Sequence, residues 1–309
     1  MRQILVTGAN GFVGRNLCRD LAARGYALRG TLRAGRPKLT DGIDYREVPS
    51  LEDNPDWRPH LDGCDGLVHC AALVHVPRRP GQAERQRHLT LNAKASAHLA
   101  RQAREAGLSR MVFISSIAAG TAERATTDKP PSAYGAGKLA AEGMLRRVQD
   151  ETGLEVVGLR PPMIYGPDAP GNFSQLQMAL AAGLPLQLGA IANARSFLYV
   201  GNLTDAVAAC LEHPEAAGKV FPVSDGETLS TPDFVRLMAQ AMRRPARLLP
   251  CPPALLKLAL ALIGRKRLYQ ILAGDLVVGN REIEEALGWT APWRTAEGLA
   301  ETFKAGPTP

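Results

Sequence analysis

The sequence predicts an α/β fold: a doubly wound parallel sheet with a smaller, discontinuous C-terminal region. Three observations carry that prediction. Short apolar runs alternate with helical stretches through the first half of the chain. A glycine-rich turn directly follows the first of those runs, Ile4-Leu5-Val6. After Arg160-Pro161-Pro162 the alternation gives way to breaks at Gly166-Pro167, Pro170-Gly171 and Gly183-Leu184-Pro185.

Each element follows in order. Residues 2–7 form a strand, and 12–24 a helix stopped by Gly25. A second strand covers 26–32, and short strands follow near 44–48 and 66–71. A long helical stretch runs from 84 to 106, where Gly107 ends it. Met111-Val112-Phe113-Ile114 is a buried strand, Tyr134 to Glu151 a helix, and Val156 to Leu159 the next strand. A helix over Leu203–Leu211 and the strand Val220–Val223 return to the sheet. The expected division is therefore 1–162 with 193–223 as the sheet domain, and 163–192 with 224–309 as a substrate-binding region.

Composition narrows the function classes. The chain has 309 residues, a net charge of +7 and 22% charged residues, which suits a globular enzyme. Arginine is spread along the chain, so no nucleic-acid stripe is expected. The five cysteines are odd in number and form no C-x-x-C pair. That argues against a disulfide framework or a zinc site and fits a reducing cytoplasm. The N-terminus runs straight into a strand with no signal peptide. Pro252 to Ile263 is the most apolar late stretch and is too short to span a bilayer. It is expected to pack inward as a helix. The less favoured reading is membrane-surface contact, suggested by Lys257 and Arg265-Lys266-Arg267.

The glycine turn is Thr7-Gly8-Ala9-Asn10-Gly11-Phe12-Val13-Gly14. Gly8 allows the tight turn, Gly11 lets the backbone approach a pyrophosphate, and Gly14 lets helix pack on sheet. The helix from Phe12 turns its free N–H groups and positive dipole end to the phosphates. Gly8, Asn10, Gly11, Phe12, Val13 and Gly14 are thus the predicted dinucleotide-binding set of a Rossmann-type fold. The second strand ends Gly30-Thr31-Leu32-Arg33 with Arg36 nearby, and no carboxylate follows before Asp41. Arg33 could stack on adenine and pair a 2′-phosphate, so NADP(H) is favoured and NAD(H) remains open.

Tyr134 and Lys138 are four apart on a predicted helix and share one face. A free tyrosine titrates near pH ~10. A neighbouring ammonium is expected to lower that value, and Lys138 would also donate to a nicotinamide ribose. Ser116, at a strand end, can hold a substrate hydroxyl or carbonyl. Tyr134 would then be general acid in reduction and general base in oxidation. Ser115 is the lesser candidate, because strand alternation aims it elsewhere. Asn92 sits in the long helix, where asparagine needs a reason: it holds a water or a backbone carbonyl, or is simply a satisfied helix residue.

Over nearly its whole length the chain resembles the extended short-chain dehydrogenase/reductase family of nucleotide-sugar epimerases, dehydratases and reductases. The resemblance rests on the glycine turn, His69-Cys70-Ala71-Ala72, Asn92, Ser115-Ser116, Tyr134-x-x-x-Lys138, Leu159-Arg160-Pro161-Pro162-x-x-Tyr165-Gly166-Pro167 and Leu287-Gly288-Trp289. It implies catalytic roles for Ser116, Tyr134 and Lys138, and backbone contact of Ala71 and Ala72 with the cofactor. It implies that Asn172 and Arg195 hold the nucleotide diphosphate. It also implies a homodimer formed through helices 84–106 and 134–151. Ser224-Asp225-Gly226-Glu227 and Pro250-Cys251-Pro252-Pro253 look like UDP-sugar 4-epimerases and 4-keto-reductases of surface-polysaccharide pathways. Leu32 stands at the usually acidic position, and Ser50 where an adenine-binding aspartate is common. The segment from Ser116 to Tyr134 is short, and Ile117-Ala118 lack the Asp-Glu pair of sugar dehydratases, against 4,6-dehydration.

The combined expectation is a cytoplasmic NAD(P)(H)-dependent oxidoreductase acting at C4 of a UDP-sugar, as a 4-keto-reductase. The alternatives are a UDP-hexose 4-epimerase with retained NAD, reduction of a non-nucleotide ketone, and a non-catalytic dinucleotide sensor.

Overall fold

A computed structural model describes residues 2–35, 42–74, 82–126 and 131–304. Arg36 and Asp41 lie outside the described residues. In chain order the elements begin with β1 (Gln3–Thr7), α1 (Phe12–Ala23), β2 (Ala27–Arg33), β3 (Asp44–Val48), α2 (Arg58–Leu61) and β4 (Gly66–His69). Next come α3 (Gln82–His88), a π-helical turn (Leu89–Lys94), α4 (Ala95–Glu105), β5 (Arg110–Ile114), α5 (Ile117–Glu123), α6 (Ala133–Thr152) and β6 (Glu155–Arg160). Then follow β7 (Met163–Tyr165), α7 (Asn172–Ala181), β8 (Phe197–Tyr199), α8 (Val200–Glu212) and β9 (Val220–Pro222). The chain closes with α9 (Thr231–Ala241), α10 (Pro253–Leu262), α11 (Lys266–Ala273), α12 (Arg281–Leu287) and α13 (Thr295–Lys304).

The chain divides into two compact units. The first holds Met1–Pro161, Leu203–Val223 and Asn280–Thr290; the second holds Pro162–Asn202, Ser224–Gly279 and Ala291–Pro309. In the first, seven strands lie in the order β3-β2-β1-β4-β5-β6-β9, and every pair is parallel. Strand order reverses between β1 and β4, which is where ligands of such sheets bind. The strands are apolar because helices cover both faces of the sheet. On one face Leu5, Leu67, Met111 and Phe113 meet Ala97, Ala100 and Ala103 of α4 and Ala141, Leu145 and Val148 of α6. The small residues of α4 repeat at helical spacing and let that helix come close.

Two boundaries differ from the sequence expectation. Residues 197–199 pair with β7 in a separate two-stranded sheet, so 193–202 belong to the second unit rather than to the main sheet. Residues 280–290 join the first unit, where α12 packs on β9 and Trp289 Nε1 donates to Asp205 at 2.7 Å.

The second unit is organised around one buried carboxylate. Asp225 accepts hydrogen bonds from Tyr199 N (2.7 Å), Asn202 Nδ2 (2.7 Å), Tyr165 Oη (2.8 Å) and Thr295 Oγ1 (3.2 Å). Burial pushes its carboxyl up to about 6, against the pull of those four donors. The Tyr165 ring stacks with Phe173 and meets Phe234 edge-on, so the polar knot sits within an aromatic core. The expectation that Pro252–Ile263 packs inward fails. Within α10 only Leu256 is buried, and Leu255, Leu258 and Leu262 stand 58%, 57% and 79% exposed. A short sequence whose one polar residue is Lys257 gives no broad polar face from which inside and outside can be told.

Asp225→Ala removes one acceptor from four donors. Urea unfolding should show a loss of at least about 3 kcal/mol, because buried donors left unpaired forfeit their full desolvation. A loss below about 1 kcal/mol would contradict this reading of the knot.

Candidate active site

The turn after β1 is built by close approach. Gly8 has φ +66°, and a Cβ there would lie 3.0 Å from the Ala71 backbone. A Cβ at Gly14 would lie 2.2 Å from the Gly8 carbonyl oxygen, so α1 meets the turn only with glycine in that place. Gly11 is the N-cap of α1, and no side chain caps the helix. Its first-turn N–H groups, on Phe12 and Val13 among others, are left for an anion. A cleft of about 480 Å³ runs past Gly8, Asn10, Gly11, Arg33, Ala71 and Ala72. Thr31 and Trp57 also line it, and their buried Oγ1 and Nε1 find no partner among the described residues. A glycine cradle beside two unpaired polar groups fits a dinucleotide.

One residue of this cleft was missed by the sequence analysis. No carboxylate follows β2 in the chain before Asp41, and Glu52 lines the same cleft as Leu32 and Arg33. It arrives from the helical turn after β3 and pairs with Arg87 at 2.9 Å. Arg33 itself is exposed. Sequence spacing missed Glu52 because it follows a different strand from the one that carries the usual acidic residue.

Behind the cleft runs a buried hydrogen-bond chain. The Ala71 N–H donates to Thr7 Oγ1 (3.2 Å), and Thr7 Oγ1 lies 2.7 Å from His69 Nδ1. His69 Nε2 lies 2.9 Å from Ser96 Oγ, which donates to the Asn92 carbonyl at 2.8 Å. Burial, with Lys138 adding to it, pulls the His69 pKa down to about 3, so the ring is neutral. Ser96 spends its proton on Asn92, so Nε2 carries the ring proton, and Nδ1 accepts from Thr7. Every donor then has an acceptor, and the chain fastens Ala71 against the end of β1. Asn92 works from the π-helical turn: its Oδ1 accepts from Leu73 N (2.7 Å) and its Nδ2 donates to Leu73 O (2.9 Å). Its place in the helix is explained by the loop it holds.

Tyr134 and Lys138 lie in the first turns of α6. Two glycines interrupt this stretch, each with a steric cause. A Cβ on Gly135 would lie 2.5 Å from the Ala118 carbonyl, and one on Gly137 2.9 Å from His88 Cβ. Alanine at either place would push α6 off α5 or α3 and move Tyr134 with it. The His88 ring meets the Tyr134 ring edge-on, centroids 6.0 Å apart. Ser116 caps α5, accepting from Ala118 N at 3.2 Å, and also hydrogen-bonds Tyr134. Ser115 turns away to Glu142 Oε1 at 2.5 Å, and Glu142 holds Arg160 through both oxygens.

The proton chemistry differs from the sequence expectation. Burial raises the Tyr134 phenol above its ordinary value, and the Ser116 hydrogen bond only opposes that rise. The expected lowering by Lys138 is absent. Lys138 Nζ donates to the Ile114 carbonyl at 2.7 Å and lies 4.5 Å from the centre of the Phe113 ring. Burial lowers the Lys138 pKa from 10.5 to about 8.

The remaining candidates lie in the second unit. Asn172 is the exposed first residue of α7. Arg195 is half-buried; its Nη1 donates to the Gly274 carbonyl at 2.6 Å, and burial lowers its pKa against the pull of Asp275. Among the described residues no group of three or more His, Cys, Asp or Glu could hold a metal ion.

Lys138 supplies a test of this geometry. Its folded pKa lies below the unfolded one, so stability should rise with pH between about 8 and 10.5. At about pH 7, Lys138→Met should unfold later than the parent by on the order of 1–2 kcal/mol, because a buried charge is removed. The gap should close by about pH 10.5. A variant less stable at both ends of that range would contradict the assignment.

The NAD dependent epimerase/dehydratase family model matches residues 4–224. A UDP-glucose 4-epimerase of Vibrio cholerae is 34% identical, over 98% of this chain and 95% of its own length. The UDP-glucose 4-epimerase of Thermotoga maritima, solved with UDP-glucose, has a TM-score of 0.76 at 21% identity. It covers 98% of this chain and 97% of its own, a likeness of fold. MoeE5, solved with UDP-glucuronic acid and NAD, has a TM-score of 0.74 at 25% identity, covering 98% of both chains. With the glycine cradle, the reversal of strand order and this match over most of its length, the chain belongs to the NAD dependent epimerase/dehydratase family and is an enzyme of the short-chain dehydrogenase/reductase type.

Proposed function

We propose that this protein is a 4-epimerase of a UDP-sugar, with Tyr134 as the group that moves the proton at the C4 oxygen. The observation that carries the reading is the 34% identity to a UDP-glucose 4-epimerase across both chains. The Tyr134, Ser116 and Lys138 constellation supports it. Gly8, Gly11 and Gly14 would hold the pyrophosphate of a dinucleotide, whose nicotinamide would supply the hydride acceptor and donor and, when oxidised, a positive charge.

The chain's own residues do the rest. Ser116 orients the C4 hydroxyl through a hydrogen bond and holds Tyr134 in line with it. Tyr134 accepts the hydroxyl proton as C4 is oxidised and returns it when the 4-keto sugar is reduced on its other face. In the free protein burial keeps the phenol protonated, so base work waits for added positive charge beside it. Lys138, one helical turn further along α6, is the protein group assigned to supply it, by moving its ammonium from the Ile114 carbonyl to a ribose hydroxyl. Asn172 and Arg195 are assigned to the diphosphate, since a guanidinium holds one through paired hydrogen bonds. The second unit is assigned to substrate binding. A homodimer through helices 84–106 and 134–151 belongs to the same proposal.

A second reading is a UDP-sugar 4-keto-reductase using NADP(H). Exposed Arg33 lines the cleft where a 2′-phosphate would lie, and Leu32 stands in the acidic position. Glu52 lines that cleft too and suits ribose hydroxyls instead, which favours NAD.

Purified protein should interconvert UDP-glucose and UDP-galactose with NAD⁺ and show no net change at the nicotinamide absorbance. Net oxidation of NADPH by a UDP-4-keto sugar, without interconversion, would replace the epimerase with the reductase. Tyr134→Phe should lower turnover by about 10²–10⁴ while cofactor binding stays intact, and unchanged turnover would refute the proton role.

A further inference from the structure

The exposed apolar side chains of this protein are concentrated in one place. Of the eleven large hydrophobic residues that stand exposed among the described residues, Leu249, Leu255, Leu258, Leu262, Ile263, Ile271 and Val277 fall within 249–277 of the second unit. Leu255, Leu258 and Leu262 follow one another at helical spacing and form one outward stripe along α10. A surface helix normally presents its polar face to water; this one presents leucine. The helix has ten residues, and no helix among the described residues is long and apolar enough to cross a membrane.

Charge singles out what would cover the stripe. From Phe234 to Gly274 the sequence carries eight Lys or Arg residues and no Asp or Glu. Arg243, Arg244, Arg247, Lys257 and Arg265 of that run are exposed. A second copy of the chain would set these cations against their like, and an acidic protein would need an apolar patch of matching shape as well as its charge. An anionic bilayer satisfies both: acyl chains take the leucines, and lipid phosphates take the cations.

We propose that α10, α11 and the flanking loops form a peripheral docking element for anionic phospholipid membranes, lying in the interface with the leucine stripe inward. This goes beyond the catalytic reading and does not depend on it.

The test is co-sedimentation of the full-length protein with vesicles. Binding to phosphatidylcholine vesicles containing about 30 mol % phosphatidylglycerol should exceed binding to phosphatidylcholine alone by about tenfold or more, and weaken as salt is raised. The double variant Leu258→Gln/Leu262→Gln should lose about tenfold or more of that binding. It should keep its thermal unfolding transition and its turnover, because both side chains are already exposed. Arg243→Gln/Arg244→Gln/Arg247→Gln should flatten the salt dependence. Three results would overturn the proposal. Equal or no binding to the two vesicle types is one. Anionic binding indifferent to the leucine substitutions is another, since it would show general electrostatic attraction. The third is self-association abolished by the leucine substitutions without vesicle binding, which would assign the stripe to a second copy.

Discussion

The hydrogen-bond chain from Ala71 through Thr7, His69 and Ser96 to the Asn92 carbonyl is the constraint on which the first unit's site depends. It joins the ends of β1 and β4, the two strands at which the sheet order reverses, to the π-helical turn. It runs only with a neutral imidazole carrying its proton on Nε2, and burial enforces that neutrality. Where Ala71 lines the cleft the wall is fixed, because it is backbone held by buried donors rather than a side chain free to change rotamer. Gly8 then needs its positive φ and its missing Cβ, since Ala71 is already in place.

The proton-transfer side has the same character. Gly135 and Gly137 let α6 approach α5 and α3 more closely than any side chain would permit, and that approach sets the position of Tyr134. Glycine inside a helix costs about 1 kcal/mol each relative to alanine. The burial of Lys138 adds a further cost. Stability is thus sacrificed where the chemistry is proposed, and the buried α4/α6 face of the sheet offsets it.

Much of the fold was legible because its signals were local. Ile4-Leu5-Val6 and Met111-Val112-Phe113-Ile114 are continuous apolar runs, and a buried parallel strand needs nothing more. The glycine spacing from Gly8 to Gly14 was legible for the same reason. What escaped depended on long-range placement. Glu52 enters the cleft from the wrong strand for a motif to find it. The acceptor for Lys138 is the Ile114 carbonyl, 24 residues away, so four-residue spacing promised a stabilised phenolate that burial reverses. Asn92 was legible as a residue that could hold a backbone carbonyl, which it does at Leu73; that the carbonyl belongs to Leu73 was not. The outward face of α10 was invisible because a decapeptide with Lys257 as its one polar residue has too weak an amphipathic signal to orient it.

The central claim, oxidation and re-reduction at one sugar carbon with the proton carried by Tyr134, is tested most directly by isotope retention. UDP-glucose deuterated at C4 should yield UDP-galactose that keeps its deuterium at C4 in ordinary water, followed by NMR. Retention is required if the hydrogen leaves and returns without exchange in the site. Loss of deuterium to solvent, or no UDP-galactose at all, would contradict the account.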